Sequence, residues 1–278
     1  MKSLNQYINE KLKVSKKQYN YYPKTKEELY DLIRKRIKEE GNNVNLNDID
    51  TSNITDMSGL FSFTKFNGDI SEWYVSNVID MSNMFGYCFN FKGKGLENWD
   101  VSNVKNMCEM FNGCKSFNQP LDKWDVSNVT NMAAMFTGCK KFKGKGLENW
   151  DVSNVKNMCN MFTECTNFKG KGLENWDVSN VTDMYSMFCR CENLNCDLSN
   201  WDVSNVTDMK NMFFYCIKFE GKGLENWDVS NVTYIEHMFY DCKKLDCNLS
   251  NWDVSNIKNY YNIFYRCPIK DEYKPKFE

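Results

Sequence analysis

Apolar positions recur along this chain in one fixed order. Trp99-Asp100-Val101-Ser102-Asn103-Val104 is followed by Met107, Met110-Phe111 and Cys114, and the set returns every 25 or 26 residues. Tryptophan opens a copy at Trp73, Trp99, Trp124, Trp150, Trp176, Trp201, Trp227 and Trp252, which uses all eight in the chain, and an earlier copy starts at Ile49-Asp50. A unit this short buries its apolar face only against a neighbouring unit, so the period predicts a solenoid. Trp99 and Val101 alternate with Asn98, Asp100 and Ser102, the pattern of a short strand with two side chains inward and three outward. Val104, Met107, Met110, Phe111 and Cys114 then step by three, three, one and three, an arc of roughly 120° on a helix. Asn103 stands just before them with Asn106 three residues on, which suits a helix N-cap. The expected fold class is an α/β solenoid, a right-handed coil with short parallel strands on one face and short helices on the other. With eight or nine coils at ~4.8 Å, its length would be on the order of 40 Å.

Four segments follow from the same pattern. Residues 1–22 hold an amphipathic leader with Leu4, Tyr7, Ile8 and Leu12 at helical spacing. Residues 23–43 form a helical cap: Thr25 and Glu28 make a capping box, Leu29, Leu32, Ile33 and Ile37 repeat at three or four residues, and Gly41 ends the run. The coil occupies 44–267, and 268–278 is a charged tail. Corners carry Lys92-Gly93-Lys94-Gly95 and its equivalents, where glycine permits a left-handed backbone. Residues 91–108 and 142–159 are identical, the mark of a block copied as a unit.

A formal net charge of −2 argues against phosphate-driven binding of nucleic acid and against a membrane-surface binder. No apolar run is long enough to span a bilayer, and the charged opening lacks the apolar core of a secretory signal. The expected location is therefore cytoplasmic, with a protein as partner and a monomer as the favoured state. The thirteen cysteines fall largely in a column (Cys88, Cys114, Cys139, Cys165, Cys191, Cys216, Cys242, Cys267), which reads as stacked free thiols. Cys189-Arg190-Cys191 is the closest approach to a metal-ligand pair, and no histidine stands near it; no metal or cofactor is expected. Fourteen of the fifteen methionines lie in two further columns and read as core.

His237 is the only histidine, so a Ser-His-Asp or Cys-His nucleophile could be built only around it, and no phosphate-binding glycine loop occurs. No catalytic residue is expected. The aspartate column from Asp100 to Asp253 has two readings. One is a calcium-binding stripe of carboxylates; the other is a set of Asx turns in Asp-Val-Ser-Asn. Lys94, Lys145, Lys171 and Lys222 would form a basic stripe, offset by Glu97, Glu148, Glu174 and Glu225 across adjacent coils.

Trp176 to Met184, with Met187, Phe188 and Cys191, resembles the BspA-type leucine-rich repeat, abundant in mycoplasma surface lipoproteins. The likeness runs over residues 44–267 and implies a non-catalytic binding or adhesion module, with the cell surface as the alternative location. The first twelve residues are similar to short leaders on proteins of large tailed phages, which implies a phage-encoded chain. Together these readings give a protein-binding module that works through its exposed strand face. The candidate residues are Asn98, Asp100, Ser102, Asp125, Ser127, Asp151, Ser153, Asp177, Ser179, Asp202, Ser204, Asp228 and Ser230. The alternative is a structural part of a virion or scaffold.

Overall fold

The computed structural model describes residues 18–277. The expected amphipathic segment at Leu4–Leu12 lies outside them. The chain winds as a stack of coils, one per repeat, around a single continuous apolar core that runs from Leu29 to Ile269.

The second half of each repeat departs from the expected helix. Along Met107–Cys114 the backbone donors are shared between two tasks. Met110, Asn112 and Cys114 donate to Met107, Glu109 and Phe111 and close tight turns within the coil. Met107, Glu109, Phe111 and Gly113 donate instead to Asn131, Ala133, Met135 and Thr137 of the next coil, at 2.6–3.0 Å. A helix would direct all of these N–H groups to its own carbonyls and leave none for a neighbour. This path needs a left-handed residue at every fourth position: Glu109 has φ 58° and Gly113 has φ 75°. Fifteen non-glycine residues among those described take this conformation, each at a cost of about 1–2 kcal/mol. The bonds between coils offset that cost.

The five apolar side chains are nevertheless all buried. Successive turns and a helix both return a side chain to the same side every three or four residues. The spacing therefore identified the core but could not distinguish the two backbones.

The expected strand at Trp99–Val101 is also displaced. Trp99 is extended (φ −69°, ψ 135°), and both Trp99 and Val101 are buried. The parallel bridges, however, are single residues: Tyr21 with Ile49 and Asn45 with Asp69 at the start of the stack, and beyond them a row through the other half of the repeat, from Asp56 through Asp80, Asn106, Asn131, Asn157, Asp183, Asp208 and Tyr234 to Asn259. Beside the tryptophans, side chains make the link. Asn103 Nδ2 donates to Ser76 O at 2.8 Å, and its equivalents repeat the bond from Asn77 to Asn256. Asn103 is therefore a staple between coils, not a helix cap.

Two more columns reach backwards in the same way. Every indole donates to the carbonyl of the preceding coil, as Trp150 Nε1 does to Leu121 O at 3.1 Å. The thiols do likewise, with Cys139 Sγ donating to Phe111 O at 3.1 Å. Between them Phe85, Phe111, Phe136, Phe162, Phe188, Phe213 and Phe239 stack ring over ring at 5.6–5.8 Å, nearly parallel. All thirteen cysteines are free.

The corners follow from steric limits. Gly146 has φ 99°, and a Cβ there would stand 2.2 Å from Asp122 N, so no other residue fits. A 3-10 turn, Leu147–Asn149, then delivers Trp150 to the core.

Each end is closed differently. At the start, helix α1 (Lys26–Glu40) buries Leu29 and Ile33 in the shared core. Thr25 Oγ1 accepts from Glu28 N, while the Glu28 carboxylate accepts from Lys24 N rather than Thr25 N. At the far end Leu249 N donates to Tyr273 O, so the tail occupies part of the place of a further coil.

Trp150→Phe keeps most of the ring but removes one of the two donors to the buried Leu121 carbonyl, leaving the Trp124 N–H. Stability should fall by about 0.5–1.5 kcal/mol, read as a lower denaturant midpoint at unchanged slope. An unchanged midpoint would remove the indole bond from the account.

Candidate interaction surface

Two surfaces run the length of the stack. The first holds the residues expected from the sequence. Ser102, Ser127, Ser153, Ser179, Ser204 and Ser230 each donate their backbone N–H to the aspartate two residues earlier, at 3.0–3.2 Å. These are Asx turns, and they account for the aspartate column through local bonding. The carboxylates of Asp100, Asp125, Asp151, Asp177, Asp202 and Asp228 are exposed, so the structure does bring them into one acidic row. The Ser102 hydroxyl, above all, holds the Asp100 carboxyl below the usual carboxylate range, and Ser153 and Ser204 do the same for Asp151 and Asp202. Asn98 is exposed too and accepts from Lys123 Nζ at 2.8 Å.

The basic corners are balanced in another manner than expected. Glu97, Glu148, Glu174 and Glu225 accept from the N–H of Gly95, Gly146, Gly172 and Gly223 at 2.7–3.0 Å, each within its own corner. Lys222 pairs instead with Asp197 of the preceding coil at 2.6 Å. The Lys222 ammonium brings the Asp197 pKa down to about 2.

The second surface is the ladder face, formed by the residues between the buried ones in the turn half. Here the copies differ. Positions equivalent to Cys108, Glu109, Asn112 and Gly113 become Ala133, Ala134, Thr137 and Gly138 in the next coil, and Lys210, Asn211, Phe214 and Tyr215 further on. Trp-Asp-Val-Ser-Asn-Val, by contrast, is unchanged in every copy from Trp99 to Trp227. The ladder face is small and polar in its middle and aromatic towards its C-terminal end. Phe214 stacks on Tyr240 at 4.9 Å and Tyr240 on Tyr265 at 4.8 Å. Tyr261 meets His237 edge-on at 5.4 Å and is 64% exposed. Arg190 lies over Tyr215 and Arg266 over Tyr265, at 5.7 and 5.5 Å.

Beneath this patch sits Asp241, whose side chain is 2% exposed, between Lys243 and Arg266. Burial raises its carboxyl, but the Lys243 bond and the two cations bring it below the usual range. Sequence reasoning did not pick out this face, although the signal was present in the columns where the copies disagree.

His237 is left-handed (φ 57°) and surrounded by Phe214, Tyr240 and Tyr261. Burial pushes the column thiols from Cys114 to Cys242 well up, and the half-buried Cys159 and Cys189 rise to about 11, so neutral thiol is their resting form. Cys267, hydrogen-bonded to the Cys242 thiol at the end of the column, is instead brought below the usual range. Among the described residues, no group of three or more His, Cys, Asp or Glu side chains is arranged to hold a metal ion. No helix among them is long and apolar enough to cross a membrane.

A family model described as "Mycoplasma protein of unknown function, DUF285" matches residues 31–146, 85–171, 137–222 and 161–274, four overlapping spans that cover nearly the whole stack. The chain belongs to the DUF285 family. The overlaps are what a repeat family produces when each match spans several coils. No curated protein matches this DUF285 chain. A solved structure titled "Crystal structure of TLR13-ssRNA13 complex" aligns at 11% identity and a TM-score of 0.21, over 88% of this chain and 45% of that one.

Alkylation of the native protein at mildly alkaline pH should divide the thiols. Buried Cys88, Cys114, Cys139, Cys165, Cys191, Cys216 and Cys242 stay unmodified, while Cys108, Cys159, Cys189, Cys196, Cys247 and Cys267 react slowly. Mass spectrometry of digests reads the pattern directly. Early modification at Cys139 or Cys165 would contradict the packing.

Proposed function

We propose that this DUF285 chain is a non-catalytic interaction module that holds a protein partner on the C-terminal part of its ladder face. The observation that carries this reading is where the copies vary. The Trp-Asp-Val-Ser-Asn segment, with its staple asparagine, is the same in coil after coil from Trp99 to Trp252, whereas on the ladder face neighbouring coils present different side chains. A partner that distinguishes one coil from the next can do so there. The exposed Tyr215, Tyr261 and Tyr265, with Arg190 and Arg266, are the residue types that dominate protein interfaces.

The acidic row supports a second reading. Asp125, Asp151 and Asp177 are exposed at adjacent coils, and a basic partner could bind through many identical contacts. The resemblance to BspA-type surface repeats and the phage-like opening residues bear on where such a module works. Cytoplasm, phage particle or cell surface would each change the partner and leave the meeting surface the same.

The test first isolates a partner on the immobilised full chain and identifies it by mass spectrometry. Its affinity is then compared for two variants. Replacing Tyr215, Tyr261 and Tyr265 by alanine should weaken binding at least tenfold, and charge reversal of Asp125, Asp151 and Asp177 to lysine should change it little. The opposite outcome moves the interface to the acidic row. No effect of either set would exclude both surfaces.

A further inference from the structure

The ladder between coils has a polarity. In the turn half of each junction the earlier coil supplies N–H groups and the later coil carbonyls, while bonds such as Thr207 N to Thr182 O run the other way just before it. Met184, Ser186, Phe188 and Arg190, for example, donate to Asp208, Lys210, Met212 and Phe214. In the last coil the equivalent donors are Tyr260, Asn262, Phe264 and Arg266, and among the described residues their backbone N–H groups have no acceptor. The tail covers other parts of this end. Tyr273 O accepts from Leu249 N, Phe277 stacks on Tyr260 at 4.4 Å, and Lys274 lies over Phe264 at 6.0 Å. None of these supplies a carbonyl to the donor row.

The row selects what can pair with it. Asn262 and Arg266 are left-handed (φ 55° and 59°), and the intervening N–H groups close turns within the coil. Such a turn spans less than about 7 Å where an extended strand covers roughly 10 Å. A straight strand added at this edge therefore falls out of step with the four donors. A backbone that follows the same chain of turns stays in step, as every internal junction shows. Two last coils cannot pair with each other either, because donors would face donors.

A second copy of this chain is also shut out. The matching carbonyls of its first coil belong to Asp56, Ser58, Leu60 and Ser62, and helix α1 lies over them. Arg34 Nη2 donates to Ser62 O at 3.1 Å, Lys26 pairs with Asp56 at 3.0 Å, and Leu29 and Ile33 are fully buried. We infer that the last coil is a docking edge for a coil of this same repeat type, supplied by another chain whose first coil carries no capping helix. Because α1 covers the matching carbonyls of the first coil, it prevents the chain from polymerising with itself through this edge.

The inference is independent of the partner proposed for the ladder face, and amide exchange tests it. The probe is a synthetic two-coil peptide copying residues 179–231, whose first coil is uncapped. Added to the full chain, it should slow exchange of the Tyr260, Asn262, Phe264 and Arg266 amides at least tenfold, and a scrambled peptide should leave them unchanged. A second arm uses the full chain with Leu29→Asp and Ile33→Asp to lift α1 from the first coil. That variant should assemble head to tail with the same four amides protected. Protection by the peptide or by assembly supports the docking edge. If the four amides exchange as freely in both arms, or are slowed equally by the scrambled peptide, the inference is overturned.

Discussion

The division of backbone donors in the turn half of each repeat is the constraint on which the molecule depends. Half of the N–H groups from Met107 to Cys114 close the coil on itself and the other half hold the next coil. Neither set alone would do. Without the first, the coil could not return its apolar residues to one side; without the second, the coils would stack by side chains alone. The cost is a backbone that places residues such as Glu109, Ala134 and Asn160 at positive φ. Each bond is worth about 0.5–1.5 kcal/mol net, and four of them per junction are of the size needed to offset two left-handed residues.

This division explains why the sequence is so uniform. From Trp73 onward, an indole, a thiol and an asparagine amide in each coil donate to a carbonyl of the coil before it, so each position is fixed by chemistry as well as by volume. Phenylalanine would fill much of the tryptophan site but could not make its bond, and alanine in the thiol column would remove the bond that ties a carbonyl such as that of Phe111 to the next coil. Variation is driven outward to the ladder face, the surface that the packing leaves free. The aromatic C-terminal end, from Phe214 to Tyr265, and the small, polar middle, around Ala133 and Ala134, stand on one scaffold.

Much of this was legible in the residues. The period, the inward set of Trp99, Val101, Val104, Met107, Met110, Phe111 and Cys114, and the helix beginning after Thr25 all follow from spacing and type. The backbone of the turn half did not, because steps of three, three, one and three are common to a helix and to linked turns. Glycine at Gly59, Gly113 and Gly138 marks the left-handed columns, but Glu109, Asn160 and Arg190 elsewhere in them hide the signal. The candidate surface was half legible. The exposed aspartates are where the pattern puts them, whereas the spacing assigns the ladder face to helices, on which its coil-to-coil differences carry no spatial meaning.

Ala134 offers the most direct test, since its φ is 53°. If the turn half is linked turns, Ala134→Gly relieves a left-handed alanine and should raise stability by about 0.5–1 kcal/mol, read as a higher denaturant midpoint. If that half were helical, the same substitution would lower stability by about 1 kcal/mol. A lower midpoint would contradict the shared-donor backbone.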